Sequence, residues 1–367
     1  MNRKRLDELD AHFRAGLGKG PTLPSRWYFN LTEHCNLACR HCITRAPLKT
    51  GQQSARHMSR AVIDAIRPYL AEALYIGMPH AGEPLVAPQL DYLLSSLVEA
   101  RQGKPTTVHL LTNGKALNEQ RFCQLVEQGV NSWSVSVDGM RPETHDHLRS
   151  GSSIEALLAL IRTCVTLRDA RAREVTMGIA WTITIDNAAE IDELLAFAAD
   201  VGLDWVKLEE LFPVNAAGHR LAHQSADELL RVVECARQRA RILGVRLLEH
   251  VIEMPVFKCR MDDQPAMARF SLLDDLVNRM EINACRLPYE LACVEPNGDL
   301  KPVSWYHPVA GNVLAQPVSQ IWNNHHLVGI RKAAAAKRLC RDSEPTCEAD
   351  RGPRTREAWL DPVDERD

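Results

Sequence analysis

Residues 33–42 read EHCNLACRHC. They put cysteines at 35, 39 and 42, and no fourth cysteine lies nearby. The stretch directly follows RWYFNLT, residues 26–32, an aromatic and apolar run with the composition of a strand. A loop that opens at a strand end with three thiols is the feature from which both fold and chemistry are read.

Three thiolates can each take one iron of a four-iron cubane and leave the fourth iron open to a ligand that is not protein. A structural zinc site asks for four closed ligands, and ordinary ferredoxin clusters also use four cysteines. His34 or His41 could complete a zinc set, so zinc stands as the alternative. A trio of core thiols fits less well, because Asn36 and Arg40 make this a polar segment.

Further runs of strand type start at Leu74 (LYIGMPH), Thr106 (TTVHLLT), Ser132 (SWSVSV), Val175 (VTMGIAWTIT) and Trp205 (WVKLEELF). Between them, apolar residues recur at helical spacing: Leu90, Leu93, Leu94, Leu97; Ile154, Leu157, Leu158, Ile161; Ile191, Leu194, Leu195, Ala198. Gly129 and Gly202 sit where helix C-caps belong, and Ser225 with Glu228 resembles a capping box. Six strands alternating with helices predict an α/β fold with a parallel sheet, open or curled into a partial barrel. Chemistry in such sheets sits at the C-terminal strand ends, where the cysteine loop begins.

The 367 residues are 45% hydrophobic and 25% charged, enough for a sizeable core and two domains. The net charge of −3 gives no nucleic-acid footprint. No apolar run is long enough to span a membrane, and the charged N-terminus lacks an apolar signal core. A cytoplasmic protein is expected, in which eleven cysteines would be reduced rather than paired.

C-x3-C-x2-C after a first strand resembles the radical S-adenosylmethionine (radical SAM) enzymes. The likeness extends along the chain. Residues 81–84 (AGEP) follow the second strand, where the family has a GGEP segment; Ala81 replaces its first glycine. The resemblance implies that the backbone of Ala81, Gly82, Glu83 and Pro84 meets the amino group of the methionine moiety. LTNG, with Asn113, ends the third strand, and SVDG, with Ser136 and Asp138, ends the fourth, where the family places contacts to the ribose. Arg149 matches a position that pairs with the methionine carboxylate, and His41 one that holds an aromatic residue against the adenine. Plainer roles are a turn residue for Asp138, a surface charge for Arg149, a helix cap for Glu83 and a loop residue for His41. The family fold is a partial (β/α)6 TIM-like barrel. Its chemistry, by implication, is a 4Fe-4S cluster on Cys35, Cys39 and Cys42 that cleaves S-adenosylmethionine to a 5′-deoxyadenosyl radical. That radical takes a hydrogen atom from substrate. A flavodoxin- or ferredoxin-type reductant would supply the electron.

The pattern changes after residue 250. PNGD, residues 296–299, is a hairpin signal between short apolar stretches. The region resembles the auxiliary-cluster extensions called SPASM and twitch, a small hairpin-plus-helix domain. That likeness implies a second 4Fe-4S cluster on Cys285, Cys293, Cys340 and Cys347. Val303 stands where the family has a cysteine. If Pro296 to Asp299 form the turn, Cys293 lies across from Pro302 and beside Val303. The expected layout is an N-terminal extension over 1–25, the barrel over 26–250, the auxiliary domain over 251–350 and a polar tail over 351–367. Cys259 is left over, as a structural thiol, a further ligand or a hydrogen-atom donor of the kind found in similar radical epimerases. Cys123, Cys164 and Cys235 read as small residues on apolar helix faces.

Lys207 and Glu209 alternate onto one face of the sixth strand and could act as acid or base on a polar substrate; a plain ion pair is the alternative. Fewer than 30 residues precede the first strand, which leaves little room there for a leader-binding domain. The expectation is therefore a small polar substrate of sugar, aminocyclitol or nucleoside type, undergoing oxidation, epimerisation or decarboxylation. The alternatives are maturation of a ribosomally made precursor peptide and a non-catalytic iron–sulfur or zinc protein.

Overall fold

The structure is a computed structural model that describes residues 3–78, 81–171, 174–211, 213–223, 226–250, 287–302 and 308–335. Ser225, Cys259, Cys285, Val303, Cys340 and Cys347 lie outside the described residues. In chain order the strands are β1 (Arg26–Phe29), β2 (Ala38–Cys39), β3 (Tyr75–Met78), β4 (Thr107–Thr112), β5 (Ser132–Ser136), β6 (Arg149–Ser150), β7 (Thr176–Ile183), β8 (Trp205–Glu210), β9 (Leu247–His250), β10 (Leu291–Val294), β11 (Asp299–Pro302) and β12 (Gly311–Asn312). The described chain forms two compact units. One takes residues 3–33, 56–109 and 287–335, and the other takes 34–55 and 110–250.

In the first unit, β1 pairs in parallel with both β3 and β10. One face of these strands carries Trp27, Phe29, Ile76, Ala292 and Val294, all fully buried. The other carries Arg26, Tyr28, Tyr75, Gly77, Leu291 and Cys293, as the register aligns them. Strands β10 and β11 form an antiparallel hairpin, and β12 pairs with β11.

The hairpin is present but its register differs from the expected one. Cys293 pairs with Lys301, and Ala292 pairs with Pro302. The reason is the turn. Glu295 N–H donates to Asp299 O at 2.9 Å, and Gly298 takes φ +87°. The loop is therefore three residues closed by a left-handed glycine, not four, and each pair moves by one.

In the second unit, β5, β7, β8 and β9 are parallel neighbours. The helices Ile154–Asp169 and Ile191–Val201 bury the apolar positions Ile154, Leu157, Ile161, Ile191, Leu194, Leu195 and Ala198. In the first unit the helix Leu90–Arg101 does the same with Leu90, Leu93, Leu94 and Leu97. Gly202 caps Ile191–Val201 at φ +75°. The fold class is thus α/β, largely parallel, with a small antiparallel hairpin near its C-terminal end. Among the described residues no helix is long and apolar enough to cross a membrane.

Candidate active site

The second unit builds the cysteine loop from local turns and one short pairing. Cys42 N–H donates to Cys39 O at 3.4 Å, and Arg45 N–H to Cys42 O at 3.2 Å. Strand β2 pairs antiparallel with β6, so Cys39 faces Arg149 and Ala38 faces Ser150. Cys35 N–H donates to Thr50 Oγ1 at 3.1 Å. Asn113, just beyond β4, donates its amide to Asn36 Oδ1 at 2.8 Å and lies 3.7 Å from Cys35 Sγ. Among the described residues none of the three is in a disulfide, and all three are half-buried.

At the C-terminal end of β5, Asp138 is completely buried. Its Oδ2 accepts from Arg149 Nε at 2.6 Å and His41 Nε2 at 3.0 Å; its Oδ1 accepts from Thr182 N–H at 2.7 Å. Burial alone would raise this carboxyl. The Arg149 guanidinium and the His41 hydrogen bond overcome that and hold it well below the usual carboxylate range. Asp138 N–H donates to His145 Nδ1 at 3.1 Å, which leaves Nε2 to donate to Ser152 Oγ at 3.0 Å. Burial, helped by Arg149, brings His145 down to about 4, so the ring is neutral at pH 7. Asn187 donates to Asp138 O at 3.1 Å and Thr182 O at 2.9 Å.

One face of β5, β7 and β8 carries Ser134, Ser136, Gly178, Ala180, Thr182, Trp205, Lys207 and Glu209, aligned by the register. The opposite face carries Trp133, Val135, Ile179, Trp181, Val206 and Leu208, all buried. Gly178 is required here, because a Cβ on it would meet the Trp205 indole at 2.1 Å. Lys207 and Glu209 share the face as expected and are bonded to each other at 2.6 Å.

The remaining sites expected from sequence belong to the first unit. Ala81 holds φ +79°. Gly82 N–H donates to Thr32 O at 2.7 Å. Glu83 is buried and caps the 3-10 turn Pro84–Val86 by accepting from Leu85 N–H at 3.1 Å. Cys293 is fully buried among Tyr28, Tyr75 and Leu291. Burial pushes its thiol well above the ordinary range.

The structure therefore brings together Cys35 with Asn113, and His41 with Asp138 and Arg149. It adds Asn187, and also Thr182 and His145, which the sequence reading missed. Nothing in a linear pattern marks these last two, because their partners lie on other elements.

Residues 29–198 match the family model described as the Radical SAM superfamily. These residues form a radical SAM domain. The chain is 25% identical over 306 residues to a pre-heme d1 synthase of Dinoroseobacter shibae, covering 80% of this chain and 72% of that one. It is 22% identical over 316 residues to the mycofactocin maturase MftC of Mycobacterium tuberculosis, covering 84% and 73%. Among solved structures it resembles Streptococcus suis SuiB bound to the precursor peptide SuiA, with TM-score 0.63, 16% identity and coverage of 90% and 70%. That likeness is one of fold. Radical SAM enzymes use a 4Fe-4S cluster and S-adenosylmethionine.

The residues present fit those groups. Among the described residues, no three His, Cys, Asp or Glu side chains converge closely enough to share one metal ion. A cubane needs no such convergence, because each thiolate binds its own iron. Burial and the two neighbouring thiols push Cys39 up to about 12, against the opposing charge of Arg149. A cationic cluster core would offset that cost. His41 Nδ1 is buried without a partner beside Cys42, which fits a nucleoside hydrogen-bond donor.

Proposed function

We propose that this radical SAM enzyme acts on a polar small molecule of sugar, aminocyclitol or nucleoside type. The observation that carries the reading is the run of small and polar side chains beyond Trp205 at the C-terminal ends of β5, β7 and β8, ending in the Lys207–Glu209 pair. Cys35, Cys39 and Cys42 would hold the 4Fe-4S cluster. Cluster and S-adenosylmethionine, when bound, supply reductive cleavage and hydrogen-atom abstraction. The chain's own residues hold and orient. Asn113 fixes the Cys35 end of the loop, and Arg149 and His41 carry hydrogen-bonding and charge beside the other two cysteines. Ala81, Gly82, Glu83 and Pro84 would contact the methionine moiety, and Ser136 the ribose. Lys207 and Glu209, half-buried and mutually neutralised, would bind a substrate hydroxyl or amine and exchange its proton. An auxiliary cluster would rest on Cys285, Cys340 and Cys347, outside the described residues. The burial of Cys293 among tyrosines favours a core thiol over a fourth ligand.

Peptide maturation is the second reading. It is favoured by the similarity to a mycofactocin maturase and to a structure bound to a precursor peptide. The test is anaerobic reconstitution with reductant and S-adenosylmethionine, reading 5′-deoxyadenosine with and without candidate substrates. Hydroxylated small molecules should stimulate its formation. Stimulation only by a peptide encoded beside the gene selects the second reading. No 5′-deoxyadenosine under any condition refutes both.

A further inference from the structure

Every polar group of Asp138 is engaged: its carboxylate by Arg149, His41 and Thr182, its N–H by His145, and its carbonyl by Asn187. The residue is anchored to the sheet, since Val137 N–H donates to Ala180 O at 3.0 Å. Two of its carboxylate partners belong to the surroundings of the cysteines. His41 immediately precedes Cys42. Arg149 pairs through its backbone with Cys39. A buried carboxylate left without partners is strongly disfavoured, so the anion admits one arrangement of both side chains.

We propose that Asp138 is the positioning residue of the cysteine turn. One buried carboxylate sets His41 against Cys42 and Arg149 against Cys39, and thereby fixes the shape and the charge around two of the three cysteines. The electrostatic half of this rests on Cys35, Cys39 and Cys42 being the cluster ligands; the mechanical half does not. With the carboxylate neutralised, the Arg149 cation loses its counter-ion next to Cys39. An uncompensated cation favours the reduced, more negative cluster.

The test has two readouts. In cluster-free protein, hydrogen exchange of residues 35–42 should rise at least about tenfold in Asp138→Asn and in His41→Leu, the loss expected when a buried charged hydrogen bond is removed. His41→Gln keeps a donor toward Asp138 and should restore near-native protection. In reconstituted protein, the midpoint potential of the cluster should move positive in Asp138→Asn and negative in Arg149→Gln. Unchanged exchange and unchanged potential in Asp138→Asn overturn the proposal. So does a rise in exchange with no shift in potential, which would make Asp138 a fold residue only. If Asp138→Asn does not fold, equal exchange in His41→Leu and His41→Gln overturns it. Wild-type protein that takes up no iron refutes the cluster reading instead, and the exchange data still decide the mechanical link.

Discussion

Cys39 and Cys293 both sit on strands, Cys39 on β2 and Cys293 on β10, yet their surroundings differ in kind. Burial pushes both thiols up. At Cys39 the next influences are charges gathered around a half-buried loop: Arg149 pulling down, then Cys42, Cys35 and Asp138 pushing up. At Cys293 they are Glu295 pushing up and Lys301 pulling down, behind a wall of Tyr28, Tyr75 and Leu291. Three thiols in one loop repel as thiolates, and metal binding relieves that because it takes up deprotonated ligands. Among the described residues Cys293 meets an acid and a base but no second thiol. Cysteine spacing alone does not separate the two cases; the neighbouring thiols do.

The largest expected effect breaks the comparison if it fails. Cys39→Ala should abolish 5′-deoxyadenosine formation and remove about four irons per chain after reconstitution. Cys293→Ala should leave the iron count unchanged. Iron analysis of the two variants side by side decides it, and equal losses would make Cys293 a ligand after all.

A second effect separates the regions by pH. His145 is neutral when folded, with its pKa lowered from 6.5 to about 4 by burial and Arg149. Between those values the unfolded chain binds a proton that the folded chain refuses. Stability is therefore full above pH 6.5, falls as pH drops toward 4, and loses about 3 kcal/mol from this group. Denaturant melts at pH 7 and pH 4.5 should show the loss, and His145→Gln should flatten it. A wild-type slope retained in His145→Gln would assign the acid sensitivity elsewhere.

The two regions were also unequally legible. The six strands of the core and the three amphipathic helices announce themselves by β-branched runs and by period, and the structure has them. The PNGD turn was legible too, but its register was not. A three-residue loop with a left-handed glycine and a four-residue turn share the same sequence and differ by one pair. Strands β2 and β6 are two residues each and carry no period at all. The partners of Asp138 lie 97, 11 and 44 residues away at His41, Arg149 and Thr182. Such a network is a product of tertiary folding, and sequence could name Asp138 and Arg149 only through family resemblance. It could not say that they are bonded to each other.

In the core around Cys293 the expected cost is smaller. Cys293→Ala leaves a small cavity beside Tyr28 and should destabilise by about 1–2 kcal/mol. A chemical melt that shows no change would mean the site collapses freely, and the packing contrast with Cys39 would weaken.

The smallest effect concerns the first unit's other departure from the family pattern. Ala81 stands where the resemblance calls for glycine, and its backbone holds φ +79°. A Cβ in the left-handed region costs roughly 1–2 kcal/mol, partly offset in any glycine replacement by the greater freedom of the unfolded chain. Ala81→Gly should therefore stabilise by about 0.5–1 kcal/mol, read as a shift in denaturation midpoint at unchanged slope. If the substitution also weakens binding of S-adenosylmethionine, the strain is retained for a purpose, because a rigid turn presents fixed backbone groups to a ligand. If affinity is unchanged, the alanine is a tolerated departure.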